Sequence, residues 1–261
     1  MTRSKTIVIA THRRSGTHWT IDALRNNSPD VNSTFLTLEQ MEPSHHQPIP
    51  LKEFQATLDA LDGHVILKIH DLPSANYWNG QQEREFALAI IKGSPTIYVY
   101  RDGRDVMVSL YYYMKQFRGD FADLSFSDFL RMDNELDGEP TMSRPAFWAH
   151  HVQTWLAQPN LVSVGYESLE TDYEATVQRM ADFLQIRLDS PLQSIHVQKQ
   201  KQNKSFGNRL LNKVGLKSEK VSSAVSPRKG KSGDWRNHFS DDDLGFFMTE
   251  AGDVMRRLGY E

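Results

Sequence analysis

The segment Arg13-Arg14-Ser15-Gly16-Thr17 follows a short apolar run, Thr6–Ala10, and precedes a stretch of helical periodicity. A strand, a glycine-bearing turn and a helix start make an arrangement suited to an anion. Glycine lets the backbone come close, the unfilled amides of the first helical turn point outward, and a cation and a hydroxyl complete the cradle. Arg14 supplies the cation and Thr17 the hydroxyl, with Ser15 between them. Taken alone, the segment reads almost as well as a plain strand-to-helix turn with a solvated arginine pair, because short motifs match often by chance.

Other polar residues gather in equivalent places. Lys68 and His70 close a second apolar run, Val65–Ile69, and their spacing of two puts them on one side of a strand. Arg101 follows a third run, Thr96–Tyr100, and Tyr166 follows a fourth, Leu161–Gly165. Ligands of open parallel sheets bind beyond the carboxyl ends of the strands. Three of the four ends carry cations, which points to a polyanionic ligand.

The elements that must position these residues can be read from periodicity. Four Val-, Ile- or Tyr-rich runs alternate with helical patterns at about Thr17–Asn26, Leu51–Leu61, Gln81–Ile91, Arg104–Gln116, Ser127–Met132, Arg144–Ala157, Tyr173–Leu184 and Asp241–Leu258. Such alternation predicts one α/β domain over residues 1–261, with a central, mostly parallel sheet flanked by helices. Thr171 with Glu174 has capping-box spacing, and Ser240 with Asp243 gives a weaker version. Ser28–Pro50 and His196–Pro227 fit neither period and read as surface loops.

Composition narrows the function. The 261 residues carry 30 Lys and Arg against 33 Asp and Glu, net −3, which argues against a dedicated nucleic-acid binder. With no cysteine, disulfides and thiolate chemistry are excluded. No apolar stretch approaches a membrane span or a signal-peptide core, so a soluble, cytoplasmic protein is expected. The pairs His45-His46 and His150-His151 do not converge on a point as metal ligands would, and no metal is expected. Gly230-Lys231-Ser232 ends like a Walker A loop, but Val225 stands where its first glycine belongs.

With these residues in view, the chain resembles the cytosolic-type sulfotransferases, which use 3′-phosphoadenosine 5′-phosphosulfate (PAPS). RRSGTHW at Arg13–Trp19 is similar to the family's 5′-phosphosulfate loop, PKSGTTW. KIHDLP at Lys68–Pro73 is similar to the KTHxP segment. YVYRDGRDVMVSLYYY at Tyr98–Tyr113 is similar to the 3′-phosphate block, and RKGKSGDWRNHFS at Arg228–Ser240 to the RKGxxGDWKNxFT segment. HVQTW at His151–Trp155 and YESL at Tyr166–Leu169 are smaller echoes. The four main blocks occur in family order.

The resemblance implies a P-loop-like phosphosulfate-binding loop after the first strand, and it implies roles. His70 would be the base that takes the acceptor's proton, a task suited to a group titrating near neutral pH. Arg14 and Lys68 would offset charge on the bridging oxygen as the sulfur–oxygen bond breaks. Ser15, Gly16 and Thr17 would bind the 5′ phosphate, while Arg13 is a solvated neighbour. Arg101, Ser109, Arg228, Lys229 and Gly230 would hold the 3′ phosphate. Trp19 would stack on adenine with Tyr166 nearby; a second stacking residue is either Val197 or Phe206. His18 replaces a second threonine, and its ring nitrogen either takes over that contact or its side chain packs.

The resulting expectation is sulfuryl transfer from PAPS to a hydroxyl or amine of a small-molecule acceptor, releasing the nucleotide PAP, without metal, nucleic acid or membrane partner. Two other readings remain: a P-loop phosphoryl-transfer enzyme, and a non-catalytic protein that binds PAP or PAPS. Acceptor identity and oligomeric state stay open. Trp78, Tyr112, Phe117, Phe121 and Phe147 are aromatic candidates for an acceptor pocket, with core packing an equal explanation.

Overall fold

In the computed structural model the first strand, β1 (Thr6–Thr11), is buried at every residue, as its uninterrupted apolar sequence requires. The structure describes residues 5–43, 45, 47–76, 78–134, 139–194 and 232–260. β1 lies at the centre of a five-stranded sheet in the order β2-β3-β1-β4-β7, with β2 Val31–Thr37, β3 His64–Ile69, β4 Thr96–Tyr100 and β7 Leu161–Gly165. Every neighbouring pair is parallel. The expected mostly parallel sheet is therefore wholly parallel. A separate antiparallel pair joins β5 (Asp133–Asn134) to β6 (Glu139–Ser143).

Alternation along the strands divides the core in two. Ile7, Ile9, Ile66, Ile97 and Val99 point to one face, where α1 (Thr17–Arg25) and α8 (Tyr173–Leu184) contribute Ile21, Leu24, Val177 and Met180. Val8, Ala10, Val65, Leu67 and Tyr98 point to the other, against α6 (Arg144–Leu156) and the C-terminal helix α9 (Asp241–Arg257). Each fully buried Ile or Leu contributes about 1.5–3 kcal/mol relative to exposure.

The remaining helices are α2 (Leu51–Ala60), α3 (Gln81–Gly93), α4 (Gly103–Phe117), α5 (Phe126–Arg131) and α7 (Tyr166–Thr171). From β1 the chain passes outward to β2 and β3, then returns across β1 to β4. That reversal opens a crevice at the carboxyl ends of β1 and β4, the usual ligand position in such sheets.

Two expectations need correction. Ser28–Pro50 is not a surface loop throughout, since it holds the edge strand β2. Its sequence, VNSTFLT, is mostly polar and only Val31 is buried, so it lacks the apolar run of a central strand. The Thr171–Glu174 capping box does not form: Asp172 is the N-cap of α8, and the Thr171 hydroxyl donates to the Glu167 carbonyl instead. The Ser240–Asp243 box does form at the start of α9.

Candidate active site

The turn after β1 takes its shape from two left-handed residues. Arg14 has φ 71° and Gly16 has φ 103°. A Cβ at Gly16 would sit 2.6 Å from Cδ2 of Tyr166, so both conformation and space demand glycine there. The first α-helical bond of α1 is Thr20 N to Gly16 O, so the amides of Thr17, His18 and Trp19 come before the intrahelical ladder begins. Ser15 is fully buried, and its hydroxyl has no hydrogen-bond partner among the described residues. A cradle that glycine alone fits and a buried hydroxyl without a partner both suit a phosphate group.

Arg14 reaches from this loop to α4. Its Nε donates to Ser109 Oγ over 3.2 Å, and its guanidinium lies 5.0 Å from the Tyr113 ring centre. Burial and the nearby Arg101 make the guanidinium easier to deprotonate than usual, although Tyr113 opposes this. Arg101 is buried, lies 4.3 Å over the Tyr166 ring, and donates to the Arg14 carbonyl at 3.5 Å. The Asp102 side chain caps α4 by accepting from the Arg104 amide, 2.9 Å, which fixes the helix carrying Ser109. The structure thus brings Arg14, Arg101 and Ser109 together.

His70 is joined to the same loop. Its Nδ1 is 2.9 Å from the Thr11 carbonyl oxygen and 3.1 Å from Thr11 Oγ1. A carbonyl only accepts, so Nδ1 carries the proton and Nε2 keeps its lone pair. Thr11 Oγ1 continues to Thr17 Oγ1 over 2.7 Å. One chain of hydrogen bonds therefore runs from the imidazole to the loop hydroxyl. Burial, then the charges of Lys68 and Arg13, push the His70 imidazole well below its ordinary value of 6.5. It is neutral at neutral pH and able to accept a proton. Lys68 is also lowered, chiefly by burial, with Glu39 opposing and Arg13 assisting.

The main chain of His70 is held as firmly as its ring. Its amide donates to Glu39 Oε1. Its carbonyl accepts from His151 Nε2 over 2.9 Å. His151, buried on α6, in turn accepts at Nδ1 from the Tyr98 hydroxyl over 2.9 Å. Trp78 Nε1 donates to Asp71 Oδ2 at 2.7 Å, and Trp155 Nε1 donates to the Asp71 carbonyl at 3.0 Å. Trp78 is therefore a buried strut. Phe121 and Phe147 are likewise buried, whereas Tyr112 and Phe117 are exposed.

Trp19 meets Tyr166 edge-on at 5.2 Å and lies parallel to Tyr173 at 6.5 Å. Tyr166 is buried between Gly16 and Arg101, and so touches both anion-facing groups. His18 packs edge-on against Phe35, 5.9 Å between centres, and burial followed by Lys68 lowers its basicity. Arg13 is exposed. Arg228, Lys229 and Gly230, and the two candidates Val197 and Phe206, lie outside the described residues. The chain that follows is anchored to α4: Asp105 accepts from the amides of Gly233, 2.6 Å, and Trp235, 2.9 Å.

Sequence reasoning missed Thr11, Glu39, Tyr98, His151 and Asp105. His151 stands out in the sequence as half of a histidine pair and as the start of the HVQTW echo, neither of which gives it a role, and Glu39 lies in the stretch that reads as a loop. For Thr11 and Tyr98 the signal was their place within or at the end of a buried strand, where a hydroxyl needs a partner.

Comparison with known proteins agrees with the fold and with the family resemblance. Residues 90–259 match the family model described as a sulfotransferase domain. The chain is 29% identical over 249 residues to mouse Sulfotransferase 2B1, covering 91% of this chain and 68% of that protein. It is 25% identical to human Sulfotransferase 1E1, covering 91% and 79%. Among solved structures, mouse sulfotransferase SULT7A1 complexed with PAP is similar with a TM-score of 0.63 at 19% identity, covering 97% of this chain and 86% of that one. Among the described residues, no helix is long and apolar enough to cross a membrane.

Proposed function

The chain belongs to the sulfotransferase family, and from that premise we propose that it transfers a sulfuryl group from PAPS to a hydroxyl or amine of a small-molecule acceptor. The observation that carries the reading is the hydrogen-bonded chain His70–Thr11–Thr17, which ties a neutral imidazole to a phosphate-type loop. PAP in the SULT7A1 complex supports PAPS as the donor.

PAPS supplies the sulfuryl group, whose bond to the acceptor oxygen or nitrogen forms as its bond to the 5′-phosphate oxygen breaks. His70 Nε2 takes the acceptor's proton during attack. Its Nδ1–H stays on the Thr11 carbonyl, which keeps the ring oriented and stabilises the imidazolium that forms. Arg14 and Lys68 offset the charge that collects on the departing oxygen. Ser15, Gly16 and Thr17 hold the 5′ phosphate. Arg101 and Ser109 hold the 3′ phosphate, with Arg228, Lys229 and Gly230 assigned to the same group by motif. Trp19 and Tyr166 cover the adenine.

Two phosphate sites, one in the loop after β1 and one at Arg101 and Ser109, favour a bisphosphorylated nucleotide over ATP. The deciding experiment is PAPS turnover against a broad acceptor panel, read as the mass gain of one sulfuryl group. Transfer that persists in a chelator and is lost in His70→Ala, with PAP binding kept, is expected. PAP binding without transfer to any acceptor would favour a nucleotide sensor. Mg²⁺-dependent turnover of ATP would favour phosphoryl transfer.

A further inference from the structure

The ladder between β2 and β3 ends at the Thr37–Lys68 pair, two residues short of His70. Beyond it the chain turns into a short 3₁₀ helix, Leu38–Met41, and its backbone no longer follows β3. The amide of His70 would lose its partner there. The Glu39 side chain replaces the missing strand: Oε1 accepts that amide. Glu39 is only 8% exposed, and its second oxygen, Oε2, has no hydrogen-bond partner among the described residues. A buried carboxylate is costly unless charge and hydrogen bonds compensate it. The compensating charge is Lys68, which pairs in the ladder with Thr37, two residues before Glu39, and whose ammonium the Glu39 carboxylate favours.

The other groups acting around Lys68 do not favour an ammonium. Arg13, from the loop after β1, repels it. His70, at the end of its own strand, and His18, from α1, both feel its charge as unfavourable to their own protonation. Among the described residues, Glu39 combines a contact to the base's backbone with a charge opposite to that of Lys68.

We infer that Glu39 is a positioning residue for sulfuryl transfer: one carboxylate oxygen fixes the backbone of His70, and the carboxylate charge balances the Lys68 ammonium. The inference rests on the proposed function, because transfer chemistry is what gives His70 and Lys68 their tasks. Glu39 acts through these two residues and takes no proton from the acceptor.

The test compares the wild-type chain with Glu39→Gln and Glu39→Ala, each checked for folding by circular dichroism and for PAP binding. The first readout needs no turnover. Acylation of Lys68 by acetic anhydride across a pH series, followed by peptide mass spectrometry, gives the midpoint of Lys68 titration. In Glu39→Gln that midpoint is expected to fall by about one pH unit or more, as for loss of a close opposite charge. An unchanged midpoint in the folded variant overturns the inference.

The second readout is the pH profile of kcat. Its basic limb should move down with the Lys68 midpoint. Glu39→Gln should recover most of the kcat lost in Glu39→Ala, because its amide oxygen still accepts from His70. Loss of turnover in Glu39→Gln to the level of His70→Ala would overturn the inference by making Glu39 a proton acceptor itself. Should the wild-type chain transfer no sulfuryl group, the proposed function fails, while the Lys68 midpoint still decides whether the carboxylate balances that ammonium. Glu39→Gln carries the test if Glu39→Ala does not fold.

Discussion

The imidazole of His151 donates from Nε2 to the carbonyl of His70 over 2.9 Å, across 81 residues of chain. It can do so only as the tautomer that accepts at Nδ1, and the Tyr98 hydroxyl donates there. A buried tyrosine on the central sheet thus fixes the tautomer of a buried histidine on α6, which fixes the peptide bearing the proposed base.

His151→Phe should separate these roles. It removes the clamp on His70 and leaves the Tyr98 hydroxyl buried without an acceptor, which costs about 1–3 kcal/mol. The melting temperature should drop by several degrees. kcat should fall by about tenfold or more, as a small misplacement of a catalytic group does. PAP affinity should stay within about threefold. Adding Tyr98→Phe should restore stability without restoring kcat. Unaltered kcat in His151→Phe would show that the carbonyl clamp does not position the base.

The depressed basicity of His70 makes a prediction about acid. Its folded-state value lies well below the ordinary 6.5, chiefly through burial. As pH falls below about 6.5 the unfolded chain binds a proton that the folded chain refuses, so stability falls. His18 contributes with the same sign. Denaturant unfolding between pH 7.5 and 5 should show stability decreasing below about 6.5, with a shallower slope in His70→Gln. The acid limb of kcat/KM should likewise lie below the ordinary histidine range. An identical slope in the variant would place the titration elsewhere.

Much of this could be read from the sequence, for identifiable reasons. β1, β3 and β4 were legible because strands inside the sheet are mostly apolar, and β7, although it lies at the other edge, keeps an apolar run in Leu161, Val162 and Val164. β2 was not, because an edge strand beside a surface needs no such run, and Asn32, Ser33 and Thr34 masked it. Gly16 was legible because few residues tolerate a tight anion-facing turn. The supports of His70 were not: Glu39, Tyr98 and His151 act through contacts that no local spacing encodes. The two capping candidates make the same distinction. Thr171 and Glu174 had the better letters, yet the loop geometry chose Asp172, whereas Ser240 and Asp243 formed the box.

Arg101 and Ser109 are assigned to the 3′ phosphate, and a pair of nucleotides tests this. PAP and adenosine 5′-phosphate differ only in that group. Arg101→Ala and Ser109→Ala should each weaken PAP by about tenfold or more, the usual cost of a charge-assisted hydrogen bond. Neither should change the affinity for adenosine 5′-phosphate by more than about threefold. The wild-type preference for PAP should therefore shrink in both. Equal weakening of both nucleotides would move these residues to the 5′ phosphate or to a purely structural role. Ser109→Ala carries a second consequence, because Arg14 loses the partner of its Nε.

Gly16→Ala should disable the loop without touching a charged group. The position has φ 103°, and an added methyl would meet the Tyr166 ring at 2.6 Å. Two costs arise, one conformational and one steric, and they can be separated. Gly16→Ala alone should reduce PAP affinity by about tenfold or more, through backbone strain of about 1–3 kcal/mol and displacement of Tyr166 from beneath Arg101. Tyr166→Ala alone should weaken PAP through loss of the ring. Combined, the two changes should weaken PAP less than the sum of their separate effects, because the clash disappears when the ring does. Additive effects would mean that the loop tolerates the methyl by moving away from Tyr166. Calorimetric PAP titration of the three variants distinguishes the outcomes, with the residual loss in the double variant measuring what the left-handed backbone alone requires of residue 16.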